Sequence, residues 1–262
     1  MQFRSIKNLY QRTLVETQQA TGGDVIVNDG LYRLNCTRLQ QDLERNQVLL
    51  PFVPNALTDI TECIKALPPT RQSFCCPGGS PDRLTVFRDH GYDVRSLGVM
   101  QWQPSTKDKP LHSIRVLSDA ADWHAATALR YSMHAAGMTA HEFQRFTQRR
   151  MEIYRAACEA GLGQWYGVFV QNNLVSTCGI MCPYGHLARF RLVLTHPRYH
   201  HNGYASSLIY GAAMHAQDVF RPTAILIAAE RQSPAQRLYE KLGFQEVQTA
   251  FQVTRTAAIH VP

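Results

Sequence analysis

Several things are scarce in this sequence. No apolar run approaches the roughly 20 residues that cross a bilayer; the longest clean one is Ala224–Ala229, so no membrane-spanning helix is expected. Residues 1–19 carry Arg4, Lys7 and Arg12 with no apolar segment behind them, which is not the pattern of a secretory signal peptide. The expectation is a cytoplasmic protein whose seven cysteines are reduced thiols. The eleven histidines contain no H-E-x-x-H. Long Lys/Arg runs are also missing, the densest basic groups being Arg145–Arg150 and Arg189–Arg198.

What is present is an ordinary globular composition, 45% hydrophobic and 18% charged, in 262 residues, enough for one large domain or two modest ones. The formal net charge of +7 is compatible with a nucleic acid, an acidic substrate or an anionic cofactor. Because the basic residues are dispersed, a solvated surface with a phosphate-binding site is preferred, and nucleic acid is not the expected partner.

Residues 1–20 read as a polar helix broken at Thr21-Gly22-Gly23-Asp24. Ala56–Leu67 has a helical pattern with Asn55 as its cap, Leu84–His90 is a second short helix, and Val94–Trp102 reads as a strand. Pro104–Pro110 is polar, contains two prolines and serves as the expected linker, giving units 1–105 and 106–262. After it come a strand Ser113–Leu117, a helix capped by Asp119, and an amphipathic helix over Ala140–Ala160. Strands Trp165–Gln171 and Leu174–Met181 flank an Asn172-Asn173 turn, and Ala188–Leu194 is a third strand. A helix Tyr204–Val219, a strand Thr223–Ala229, a helix Pro234–Leu242 and a strand pair from Phe244 complete an α+β pattern. Its crossover favours parallel pairing late in the chain.

The stretch Leu192–Leu208 (LVLTHPRYHHNGYASSL) carries most of the chemistry. A strand ends, a turn follows, and Gly203 precedes a helix whose first turn is kept thin by Ala205, Ser206 and Ser207. Such a loop aims backbone N–H groups and the positive end of the helix dipole at one point, where a phosphate or pyrophosphate is the natural guest. Arg198, His200 and His201 add donors. Further on, Ala235…Leu238-Tyr239-Glu240-Lys241-Leu242-Gly243-Phe244 places Tyr239 on a short helix.

With these residues in place, about His112–Arg255 resembles the GNAT superfamily of acetyl-CoA-dependent N-acetyltransferases. The Ala-x-x-Leu-Tyr-Glu-Lys-x-Gly-Phe segment is the most specific part, and Val168–Ile180 resembles the family's second and third strands. The resemblance implies a GNAT-like acyltransferase fold, a mixed central sheet flanked by helices and extended by a smaller N-terminal α/β unit. It places the family's R/Q-x-x-G-x-G/A pyrophosphate loop on His200, His201, Asn202, Gly203, Tyr204 and Ala205, with His200 departing from the usual Arg or Gln. It puts Val193, Leu194 and Thr195 on the splayed strand, Val193 and Thr195 at the pantetheine positions. Gln232 falls where the family commonly has Asn.

The resemblance further implies acetyl-CoA as co-substrate and Tyr239 as general acid for the departing thiolate. A backbone N–H of Val193 or Leu194 would receive the oxyanion. The expected reaction is direct transfer to a primary amine of a small molecule, without a covalent cysteine intermediate. For the base, the strand offers only Arg189 and Arg191; Glu230 is the nearest acid, with an ordered water chain as the alternative and an ion pair to Arg231 or Arg237 as its structural role. Acetylation of a protein amine and a non-catalytic acyl-CoA-binding regulatory module remain alternatives. So does a homodimer.

No metal is expected. Cys178 and Cys182 on one strand face would stand about 13 Å apart at roughly 3.3 Å per residue, too far to share a zinc whose bonds to sulfur are about 2.3 Å. Cys75-Cys76 read as strand-end thiols, and His112, His124, His134 and His141 as ordinary polar residues, His134 and His141 keeping a substrate role open. Finally, Thr70–Leu97 (strand, helix, Gly91-Tyr92, strand) parallels Ala224–Thr249 and reads as a truncated, degenerate copy. It lacks the phosphate glycine, and its expected role is to extend the sheet and shape the acceptor side.

Overall fold

The computed structural model describes residues 6–28, 31–65, 67–69, 71–78, 81–103, 111–133 and 138–256. The expected linker Pro104–Pro110 and His134 lie outside them. In chain order the elements are α1 (Leu9–Ala20), β1 (Asp24–Asn28), β2 (Leu31–Asn35), β3 (Gln47–Leu49), α2 (Thr61–Lys65), β4 (Arg71–Pro77), α3 (Thr85–Arg88) and β5 (Asp93–Trp102). They continue with β6 (Arg115–Val116), α4 (Ala120–Tyr131), α5 (Ala140–Glu159), β7 (Gly163–Val170), β8 (Asn173–Met181) and β9 (Leu187–Thr195). The last are α6 (Tyr204–Phe220), β10 (Ala224–Glu230), α7 (Pro234–Lys241) and β11 (Phe244–Thr256).

Contacts group these residues into two compact units that interleave in sequence. The first holds the described residues up to Val99, Ala228–Gln236 and those from Glu246 on; the second holds Met100–Ile227 and Arg237–Gln245.

In the first unit the strand order is β1-β2-β3-β4-β11. β3 and β4 pair in parallel (Val48↔Phe74, Leu49↔Cys75), whereas β4 and β11 pair antiparallel from Arg71↔Thr256 to Pro77↔Ala250. Adjacent residues of a strand face opposite sides. Accordingly Phe74 and Cys76 join a core with Phe87, Tyr92, Phe251 and Val253, while Cys75 joins Tyr10, Leu14, Leu34 and Leu49 on the other face. Both faces of β4 are thus covered, and its Phe74-Cys75-Cys76 run is apolar without alternation. The neighbouring Cys75 and Cys76 are buried and form no disulfide.

In the second unit the order is β10-β9-β8-β7-β6, with only the β10–β9 pair parallel. Trp165 on β7 stacks against Trp123 of α4 and Tyr154 of α5, and the next residue, Tyr166, meets His215 of α6. Helices α4 and α5 therefore cover one face of this sheet and α6 the other. Asp119 caps α4 by accepting from the Asp122 N–H, and Thr139 and Glu142 form a reciprocal capping box on α5.

Several expectations shift. The β7–β8 turn is Gln171-Asn172, both left-handed (φ 49° and 65°), with Asn173 already in β8; two positive φ values suit the twist of a tight hairpin. The expected strand pair after Phe244 is one long strand, β11. The helix expected over Ala56–Leu67 is a 3-10 turn, Leu57–Ile60, followed by the short α2. The side chain that caps it is Asp59, which accepts from the Asn55 and Ala56 N–H groups, rather than Asn55. Strands β1 and β2 went unread because β1 is almost wholly exposed and shows no apolar alternation. A parallel crossover pair recurs in the two units, but strand–helix–strand crossovers are too common for that alone to establish a duplicated half.

Candidate active site: a bulged strand and a left-handed loop before α6

β9 leads into the site. Its parallel pairing with β10 covers Leu187–Arg189 against Ala224–Leu226, and β9 runs on to Thr195 beyond it. On the β8 side, Thr177 pairs with Leu194 and Gly179 with Arg191, so Leu192 and Val193 together oppose Cys178. This is a β-bulge, and Leu192 takes a left-handed backbone (φ 47°) to make it. A bulge re-aims the backbone groups of the residues that follow, here Val193, Leu194 and Thr195.

The loop after β9 is held by its own polar groups. His196 Nδ1 accepts from the Arg198 N–H at 3.2 Å, and Pro197–Tyr199 form a 3-10 turn. The His200 ring bonds back to the end of β9, Nε2 lying 2.9 Å from the Thr195 carbonyl oxygen, and the Asn202 amide donates to the His200 carbonyl at 2.9 Å. His201 (φ 63°) and Gly203 (φ 78°) are both left-handed, and Gly203 is the N-cap of α6. The first-turn N–H groups ahead of Ser207, which bonds the Gly203 carbonyl at 3.0 Å, have no carbonyl within the helix to take them. The first turn of α6 has no acidic residue. A Cβ on Gly203 would approach Leu111 Cδ1 to 3.3 Å.

Tyr239 lies on α7, 6% exposed, its ring 6.1 Å from that of Phe244. Burial, and secondarily the neighbouring Cys178, push its hydroxyl up to about 12. Cys178 is the residue facing the Leu192–Val193 bulge, so Tyr239 and the bulge share this neighbour. The Cys178 thiol is itself raised by complete burial, which suits a packed neutral thiol and not a nucleophile.

Of the expected site residues, Val193, Leu194, Thr195, His200–Ala205 and Tyr239 belong to the second unit, while Glu230 and Gln232 group with the first. Glu230, at the end of β10, is exposed. Arg231 pairs with Glu246 (3.4 Å). Gln232 is left-handed (φ 65°), and its N–H donates to Gln236 Oε1 at 2.6 Å. The two arginines of β9 are buried, 6% and 5% exposed, and Arg191 donates to the Tyr154 hydroxyl from Nε at 3.0 Å and from Nη2 at 2.9 Å. Among the described residues no group of three His, Cys, Asp or Glu side chains could hold a metal ion, and no helix is long and apolar enough to cross a membrane.

His112, an ordinary polar residue by its sequence, borders this loop. The His112 ring lies 4.3 Å from that of Tyr204, its Nε2 is 2.8 Å from the Asn202 carbonyl, and its N–H donates to Ser207 Oγ at 3.1 Å. Nothing in the local sequence links it to a loop some ninety positions away.

Comparison with known proteins fits this geometry. Residues 162–246 match the sequence model of the acetyltransferase (GNAT) domain. No curated protein matches the chain. Among solved structures, a GCN5-related N-acetyltransferase from Kribbella flavida is similar at TM-score 0.65 and 17% identity, covering 97% of this chain and 98% of that one. A functionally unknown conserved protein from Staphylococcus epidermidis reaches TM-score 0.65 at 14% identity (90% and 94% covered). A putative acetyltransferase of the GNAT family from Novosphingobium aromaticivorans reaches 0.52 at 22% (88% and 89%). At these identities the likeness is one of fold, and it extends over most of the chain.

Proposed function

We propose that this chain, which carries a GNAT acetyltransferase domain over residues 162–246, is an N-acetyltransferase that moves an acetyl group from acetyl-CoA to a primary amine of a small molecule. The observation that carries the reading is the run from β9 into α6. A bulged strand end is followed by a loop with left-handed His201 and Gly203, then by a helix first turn with unclaimed N–H groups and no acidic side chain. That combination suits a pyrophosphate ester, and Gly203 keeps the approach clear of a Cβ. Acetyl-CoA supplies an acyl carbon activated as a thioester. Val193, Leu194 and Thr195 line its pantetheine arm, and His201, Asn202, Gly203, Tyr204 and Ala205 hold its phosphates, with His200 closing the loop onto Thr195.

In this reading the amine lone pair attacks the thioester carbon, a C–N bond forms and the C–S bond breaks. The N–H of Val193 or Leu194 receives the charge that develops on oxygen. Tyr239, kept neutral by burial, gives its proton to the departing sulfur. The proton of the attacking amine leaves to a carboxylate, with Glu230 the candidate, or to an ordered water chain.

The exposure of Glu230 favours a second reading, a non-catalytic acyl-CoA-binding module on the same fold. Calorimetric titration with acetyl-CoA, beside a Gly203→Glu variant, tests what both share. Micromolar binding by the native chain that vanishes in the variant supports the loop assignment and justifies an amine screen for turnover. A native chain that does not bind acetyl-CoA sinks both readings.

A further inference from the structure

We infer that His112 is a positioning residue for the phosphate loop, orienting the Asn202–Gly203 peptide so that its N–H points at the bound pyrophosphate. The inference rests on the proposed acetyl-CoA reading and adds to it a residue that lies outside the loop itself.

A carbonyl oxygen only accepts, so the 2.8 Å contact from His112 Nε2 to the Asn202 oxygen fixes Nε2 as the protonated nitrogen. The peptide unit is planar and trans, so the Asn202 C=O and the Gly203 N–H point in opposite directions. A group that holds the carbonyl on one side therefore aims the N–H to the other. The need for a hold is local. His201 and Gly203 on either side are left-handed, at φ 63° and 78°, and Gly203 has no side chain to limit rotation of its flanking peptides. Left alone, this peptide could flip at little cost, and the flipped form would present a carbonyl to the phosphate.

His112 is itself fixed at three points. Its ring lies over Tyr204, its Nε2 binds Asn202, and its own N–H donates to the buried Ser207 hydroxyl in the first turn of α6. The first and third anchors, Tyr204 and Ser207, both lie on α6 just after the peptide being held. The clamp thus spans the loop and the helix start, and Leu111 and His112 are the nearest side chains to the missing Cβ of Gly203.

The test uses the full chain and acetyl-CoA as the probe, with calorimetric affinities and melting temperatures for the native protein, His112→Phe and His112→Gln. Phenylalanine keeps a ring against Tyr204 but cannot donate; glutamine places an amide N–H near the position of Nε2. The expected result is affinity weakened about fivefold to tenfold in His112→Phe, the scale of one lost hydrogen bond, and largely restored in His112→Gln, with melting temperatures alike. With a turnover assay the same loss appears in KM for acetyl-CoA and not in kcat. A His112→Phe variant that binds like the native chain overturns the inference and leaves the acetyl-CoA reading standing. Equal weakening in both variants also overturns it, because returning a donor to the position of Nε2 would then restore nothing. Absence of binding by the native chain removes the acetyl-CoA reading, and this inference with it.

Discussion

His200 Nε2 lies 2.9 Å from the carbonyl oxygen of Thr195, closing the loop that joins the bulged end of β9 to α6. The side chain that stands in place of the family's usual Arg or Gln is therefore engaged with the loop's own backbone. Its contribution to acetyl-CoA binding is expected to be loop closure. His200→Gln, which keeps a donor in reach, should bind acetyl-CoA like the native chain. His200→Ala should lose a few-fold in affinity and no more than about 1 kcal/mol of stability at this exposed bond. Calorimetry and denaturant titration measure both. A total loss of binding in His200→Gln would show that the ring touches the ligand instead.

Tyr239 should matter to turnover and little to cofactor affinity. In an acetylation assay with a responsive amine, Tyr239→Phe is expected to lower kcat by about a hundredfold or more, within the range of a general acid, with unchanged affinity for acetyl-CoA. Unchanged kcat would favour the binding-module reading or a packed structural tyrosine.

The same residue predicts an alkaline weakness. An unfolded tyrosine ionises near about 10, whereas burial holds the Tyr239 hydroxyl up to about 12. Between those values the unfolded chain releases a proton that the folded chain keeps, so stability falls as pH rises through the window. That separation corresponds to about 2–3 kcal/mol, and Tyr166, also raised by burial, adds in the same direction. Urea titrations at pH 8, 10 and 11.5 should show the decline, reduced in Tyr239→Phe. An identical slope in the variant would remove Tyr239 from the account.

Asp122 supports α4 from within its first turn. It receives Arg115 through both oxygens, at 2.5 and 2.6 Å, and also accepts from the Ser118 N–H. The hydrogen bond from Arg115, ahead of other causes, holds its carboxyl below the ordinary range. A depressed folded value means that this stability is whole above the ordinary aspartate range and is lost as pH falls through the folded one. Asp122→Asn should cost about 1–2 kcal/mol at neutral pH and flatten the acid limb of the stability profile. A variant as stable as the native chain at pH 7 would refute this.

Removal of residues 1–105 should not leave a folded C-terminal domain. β11 pairs through Ala250–Thr256 with β4, and its Ala250, Phe251 and Val253 are fully buried among first-unit residues. Without β4 that strand has a bare edge and an uncovered apolar face. Residues 106–262 expressed alone should be insoluble or lack a cooperative melt, whereas a soluble fragment with a native near-ultraviolet spectrum would show that the boundary near residue 105 is a true domain limit.

Much of the second unit was legible because its signals are local. Helix α5 carries Phe143, Phe146, Met151, Tyr154 and Ala157 at helical spacing between a capping box and Gly161, and the polar loop into α6 ends on Gly203. Apolar periodicity, caps and turn residues are set within a few positions, so Asp119 and Gly203 could be read where they stand. The N-terminal strands were less legible: β1 is exposed and β3 is only three residues long, so neither repeats a pattern long enough to recognise.

The sequence by itself determined the order of elements after residue 112, the glycine-led loop before α6 and the resemblance that they carry, because each depends on neighbours in the chain. Only the tertiary structure decided which distant groups complete them. It set the Leu192–Val193 bulge against Cys178, turned His200 onto Thr195, and returned β11 to pair with β4 in the first unit. It also brought His112 to a loop some ninety positions later. These are pairings across long stretches of chain, selected by burial and hydrogen-bond satisfaction over the whole fold, and no periodicity records them.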